Sequence, residues 1–263
     1  MRTRVLSVRR GAATLASAAA LVALSACTDG SGTGTGSPSP SAAGKPTTLT
    51  GDSNEMAWLT PQQIYDKSRA ANARAGSYRE RMTRADANTN LLLSASECSG
   101  TVELTGLGTF DVIMKNRDIW AKLDQALSKW ASEQGAVTVP AEAWLHGTPE
   151  HPLMGKLASW CQTDKVSKPD TVSAKPSAQL MRGDITTLED GRQAIPVTVE
   201  TSSTSVTWYA ATIGTPYLLR QDAARAGMED ITYSDFGTPV NATAPPGNVE
   251  EAPIGSWPNS NLH

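Results

Sequence analysis

The chain has 263 residues with 23 basic and 26 acidic side chains, a formal charge of −3. All four arginines of residues 1–26 precede the first acid, so the remainder carries −7 and has no general electrostatic attraction to nucleic acid or to anionic lipid. The length admits one large domain or two small ones, and much of its beginning is not foldable material.

The first segment reads as an export signal. Arg2, Arg4, Arg9 and Arg10 form a basic start, residues 12–24 an apolar run too short for a permanent span, and Leu24-Ser25-Ala26-Cys27 closes it. The tetrapeptide resembles the bacterial lipobox, whose cysteine is acylated and becomes the new N-terminus. That makes Cys27 the lipidation site and places the protein, lipid-anchored, on the extracytoplasmic face of the cell membrane. Acyl chains anchor stably because each buried methylene contributes about 0.8 kcal/mol. Arg9-Arg10 leaves the export route open between the general and twin-arginine pathways. Residues 27–53 are Gly, Ser, Thr, Pro and Ala with almost no large apolar side chain, a disordered tether.

Folded material is expected over residues 54–243. Thr60 is placed as N-cap and Pro61 at the first helical position of a helix over 61–75, which Gly76 ends. Five strands follow, over 77–83, 89–96, 101–105, 109–115 and 118–123, the clearest alternating Phe110, Val112 and Met114 against Asp111, Ile113 and Lys115. Helical spacing then takes over at 124–134 and 152–166, where Leu123, Leu127 and Trp130, then Leu153, Leu157 and Trp160, can share faces. Strands resume near 179, with Glu189-Asp190-Gly191-Arg192 as a hairpin turn before a strand over 195–201.

A meander over 206–211, 216–221 and 228–234 comes next, turning at Gly214-Thr215 and at Ala226-Gly227. Its first strand carries apolar residues on both faces, so both are expected to be partly covered. Residues 244–263 thin into Pro, Gly, Asn and Glu and read as a disordered tail. Helix, strands, helices and strands in that order favour one α+β domain.

With Cys27 assigned to the anchor, Cys98 and Cys161 form an even pair in an oxidising compartment and are expected to be a disulfide. A metal site is the poorer reading, since neither CxxC spacing nor a neighbouring pair of histidines is present. Catalytic signals are weak. Gly51-Asp52-Ser53-Asn54 is similar to an esterase nucleophile block but follows a linker where an apolar strand is required. His146, Glu150 and His151 have the wrong spacing for a zinc-binding helix, and Pro149 would break it. No GxSxG, P-loop or Gly-rich dinucleotide fingerprint occurs, so the chain reads as no enzyme, with no cofactor and no metal. Asn241-Ala242-Thr243 matches a glycosylation triplet by chance composition.

Gly191-Arg192 leading to an apolar strand, residues 206–211, Gly214-Thr215-Pro216-Tyr217, residues 232–240 and Ala244-Pro245-Pro246 together resemble the actinobacterial lipoproteins of the LppX and LprG type, within the wider LolA-like fold. The resemblance covers most of the folded part. It implies a strongly curved antiparallel half-barrel sheet with helices on its concave face and an apolar cavity between them that holds a lipid or an acylated molecule. Leu91, Leu93, Val112, Met114, Ile119, Leu123, Leu157, Ile195 and Val197 are the collective candidates to line it. Trp120, Trp130, Trp144, Trp160 and Trp208 are individually more often plain core. The other reading is an envelope interaction or signalling module with the same fold, a closed core and a protein partner that the sequence does not name.

Overall fold

The computed structural model describes residues 52–161, 179–200, 204–224 and 229–257. Cys27, the export segment and residues 27–51 of the tether lie outside them, as do residues 162–178 and the Ala226-Gly227 turn.

Local chemistry explains the first helix, α1 (Pro61–Ala75). Thr60 accepts a hydrogen bond from the Gln63 N–H while the Gln63 side chain accepts one from the Thr60 N–H, a reciprocal capping box that satisfies two orphan donors. Gly76 ends the helix in the left-handed region, at φ 74°. Ile64, Tyr65, Ser68, Ala71 and Asn72 form its buried stripe. Asn72 clamps it to the sheet twice, donating to the Leu218 carbonyl (3.2 Å) and accepting from the Leu218 N–H (2.9 Å).

The strands are β1 (Ser77–Thr83), β2 (Ala87–Ser94), β3 (Glu97–Leu104), β4 (Gly108–Lys115), β5 (Asp118–Leu123), β6 (Trp144–Gly147), β7 (Gln179–Arg182), β8 (Thr186–Thr187), β9 (Gln193–Glu200), β10 (Ser205–Ala211), β11 (Leu218–Ala223), β12 (Asp230–Ser234) and β13 (Val249–Glu251). Among the described residues they make one large, curved, unclosed sheet in the order β13-β6-β5-β4-β3-β2-β1-β12-β11-β10-β9-β7, with β8 also pairing with β9. Every pairing is antiparallel except β13 on β6. At β3, only a glycine fits position 100, where a Cβ would lie 2.0 Å from the Asn90 carbonyl oxygen.

Because side chains alternate along a strand, register tells which residues share a face. The ladder from Leu123 through Phe110, Val102, Thr89, Met82, Ile231, Gln221 and Trp208 to Val197 stays on one face across nine strands. Among the described residues, the α-helices pack on this covered face. α1 lies over β1, β7, β9, β10 and β11, while α2 (Gln125–Gly135) and α3 (Pro152–Ala158) lie over β4 and β5. α3 ends before Cys161; residues 162–166, where the helical spacing continues, are not described. Cys161 is bonded to Cys98 of β3, with Cα atoms 5.7 Å apart. The loop so closed, 63 residues in sequence separation, corresponds to about 4 kcal/mol in the chain-entropy account.

Three expectations about boundaries need correction. Asp52 and Ser53 do not belong to the tether: Ser53 bridges Ile213, and the Asp52 carbonyl accepts from the Gly214 N–H. β6 falls where no strand is expected, because its four residues are too few for a periodic signal. The tail is not disordered from residue 244, since β13 pairs with β6 and Ala252 donates to the His146 carbonyl at 2.8 Å. Trp257 is 6% exposed and donates from Nε1 to the Ala131 carbonyl at 2.9 Å. Its ring fills the space above Gly135, where a Cβ would come within 2.4 Å of it. Local composition reads as disorder here, yet one buried indole and one parallel strand suffice to hold the segment.

Trp257→Ala should therefore destabilise the domain by about 3–5 kcal/mol, the range for emptying a buried aromatic site. Denaturant unfolding would show this as a lower midpoint. An unchanged midpoint would mean the segment is not docked.

Candidate functional site

The nine cavity candidates are all buried, none more than 9% exposed. Leu91 and Leu93 of β2, Val112 and Met114 of β4, Ile119 and Leu123 of β5 and Leu157 of α3 come together in one large apolar cluster with Cys98, Val102, Leu104 and Phe110. Ile195 and Val197 of β9 go elsewhere, packing with Met56, Ile64 and Ala210 beneath α1. The candidates thus divide between two clusters on the covered face. They fill them as core side chains.

Among the described residues, α1 comes closest to β1 and β9–β11 and the α2–α3 pair to β4 and β5, with β2 and β3, which carry the buried Leu91, Leu93, Val102 and Leu104, between them. Beneath α1, Trp208 and Tyr65 pack with ring centroids 4.4 Å apart, and Trp208 Nε1 donates to Gln221 Oε1 at 2.9 Å. Trp160 is also buried, whereas Trp120, Trp130 and Trp144 are only half-buried. Trp120 lies 5.5 Å from the His146 ring, and the Lys122 ammonium 5.6 Å from that of Trp144.

Sequence reasoning missed a polar element on the covered face. Glu80 is 4% exposed and stands opposite Tyr233, whose hydroxyl is pushed well above the ordinary phenol range by burial first and the Glu80 charge second. Thr89 Oγ1 is buried with no hydrogen-bond partner among the described residues. The period-two alternation of Tyr78, Glu80 and Met82 is the available signal. It puts Glu80 on the same face as two core residues.

The other sequence candidates have structural positions. Asn54 donates from Nδ2 to the carbonyls of Ala211 (2.9 Å) and Gly214 (3.0 Å), fastening the domain's first residues to the meander. His151 accepts from the Met154 N–H as N-cap of α3, and Glu150 is engaged by Arg117 and Thr148. His146 stands apart from both. Its Nδ1 is 2.9 Å from Glu251 Oε1 and its Nε2 3.2 Å from Asp118 Oδ1, joining β13, β6 and β5 through one imidazole.

No protein-family model matches this sequence, and no curated protein matches it. Among solved structures, the chain is similar to LprF from Mycobacterium bovis at 13% identity, covering 71% of this chain and 97% of that one, with a TM-score of 0.49. It is similar to the lipoprotein LppX from Mycobacterium tuberculosis at 12% identity, with 70% and 98% covered and a TM-score of 0.47. A LolA-superfamily protein from Nitrosomonas europaea matches at 12% identity over 67% and 92%, with a TM-score of 0.23. Likenesses of this strength assign no ligand and no residue role to this chain.

The hydrogen bond to Glu251 raises the His146 pKa, with burial opposing and Asp118 adding to the rise. A raised folded-state pKa gives stability that is complete below the unfolded value of about 6.5 and lost as pH rises through the folded one. Thermal midpoints measured from pH 5 to 9 should fall across that window in the wild type and lose this step in His146→Gln. Superimposable profiles would assign the titration to another group.

Proposed function

We propose that this is a lipid-anchored protein of the extracytoplasmic membrane face that takes up a lipid or an acylated molecule between its sheet and its helices, without covalent chemistry. The observation that carries the reading is the division of the helix cover. Apart from Thr89, the covered face is apolar across β2 and β3, and the described helices stand in two groups to either side, α1 on one and α2 with α3 on the other. Separation of the two groups would uncover Leu91, Leu93, Val102 and Leu104 as one apolar surface. An acyl chain placed there gains about 25 cal/mol for each Å² of apolar area removed from water. The lipobox at Cys27 and the sequence resemblance to lipid-carrying lipoproteins support the same reading.

The second reading, an envelope interaction module with a closed core, is favoured by the burial of all nine candidates. Native mass spectrometry of the full-length protein from its own host separates the two. Carriage predicts a reproducible lipid mass in stoichiometric amount, reduced in Val112→Trp while the fold survives. The closed core predicts a clean apo mass, no uptake from added host lipids, and a loss of about 1–3 kcal/mol of stability in the same variant from overpacking.

The anchor is tested separately. Cys27→Ala should move the protein out of the membrane fraction, and persistence there would remove the lipobox from the reading.

A further inference from the structure

The face of the sheet opposite the helices carries a second, unassigned feature. Two adjoining depressions open there, of about 210 and 240 Å³, sharing Arg192 and Leu219. The first is charged, lined by Arg81, Arg192, Arg220, Glu189 and Asp190 together with Thr232. The second is apolar, lined by Ala211, Ile213, Tyr217, Leu219 and Phe236. Tyr217 and Phe236 stack with centroids 3.9 Å apart and planes within 6°, giving it a rigid wall. Neither depression alone reaches the ordinary size of a small-ligand site, but the two adjoin through the lining residues they share, Arg192 and Leu219.

Register arranges the charged half. Arg81 of β1 pairs with Thr232 of β12, and Thr232 with Arg220 of β11. Adjacent strands lie about 4.8 Å apart, so the two arginine stems flank Thr232 symmetrically in a single row. The acids nearby are mostly matched. Asp190 is held by Arg192, whose Nε donates to it at 2.7 Å, and Asp222 is held by the Nε of Arg220. Arg81 is exposed and makes no hydrogen bond or ion pair among the described residues, and Arg220, which engages Asp222 through Nε and lies 5.8 Å from the Tyr209 ring centroid, has more N–H groups than that one bond uses. Two guanidinium groups with spare donors and a hydroxyl between them suit a tetrahedral oxyanion, since arginine forks bind phosphate oxygens in pairs.

We propose that this groove binds an anionic amphiphile of the alkyl phosphate class, with its phosphate over Thr232 between Arg81 and Arg220 and its alkyl chain along Leu219 toward Ile213, Tyr217 and Phe236. The site lies on the face away from the helices and does not rest on lipid uptake beneath them. Its failure and the failure of that reading are therefore separable.

The test is calorimetric titration of the full-length chain with monomeric octyl phosphate, with inorganic phosphate as the head alone and octyl glucoside as a neutral amphiphile. Octyl phosphate is expected to bind at least about tenfold more tightly than either control, and Arg81→Ala or Arg220→Ala to weaken it by about tenfold, one charge-assisted contact each. Arg117→Ala, at the β4–β5 turn, should leave the affinity unchanged. Thermal midpoints are the check that the variants remain folded, and because Arg81 is exposed and unpaired among the described residues its replacement should leave the core intact. Equal binding of inorganic phosphate would mean a bare anion site. Equal binding of octyl glucoside, or indifference to Arg81, would place the ligand elsewhere, and equal weakening by Arg117→Ala would reduce the effect to general charge. Any of these results, or no binding at all, overturns the proposal.

Discussion

The unbroken strand ladder from Leu123 to Val197 is the constraint on which the rest of the structure depends. A single sheet has two faces, and strict alternation assigns every side chain to one of them. Once Phe110, Val102, Met82, Ile231 and Trp208 are committed to the same side, something must keep water off that side. The three helices do so in two places. What joins them to the sheet is specific as well as apolar: Asn72 bonds both polar groups of Leu218, and Cys161 is covalently linked to β3.

That arrangement separates the chemistry of the two faces. Beneath the helices, polar groups such as Glu80 and Tyr233 are buried, and the low-dielectric setting shifts the protonation of the tyrosine. On the other face, the same strands carry Arg81, Thr232, Arg220 and Tyr209 in one row. A register slip at Tyr209 and Ala210 leaves Leu219 over in the pairing, and it packs with Ala194 and Ala211 as a small apolar cluster beside that row. The expectation of apolar character on both sides of the meander is met there, with Leu188, Tyr217 and Phe236 providing the partial cover.

Elements bounded by local chemistry are legible in the order of residues alone. Thr60, Gln63 and Gly76 delimit α1 to the residue, because a cap is an interaction between neighbours in sequence. β1, β4 and β5 are legible in the same way, through alternation and flanking turns. β6, β13 and the docking of Trp257 are not, since each is stabilised by a partner far along the chain. The candidate site divides likewise. Burial of Leu91, Val112 and Ile195 follows from pattern, but their partition into separate clusters does not, because it depends on which helix lands over which strand.

By itself, the sequence determined the α+β class, the antiparallel meander, the first helix with its caps and the pairing partner available to Cys98. These rest on periods of two and 3.6, on turn residues and on a cysteine count, all short-range or combinatorial properties. Only the tertiary structure decided the parallel pairing of β13 on β6, the division of α1 from α2 and α3 over the covered face, and the placement of Arg81 and Arg220 on either side of Thr232. Those features join residues separated by up to 139 positions, from Arg81 to Arg220, and strand pairing across such distances is set by the packing of the whole sheet and left no local trace.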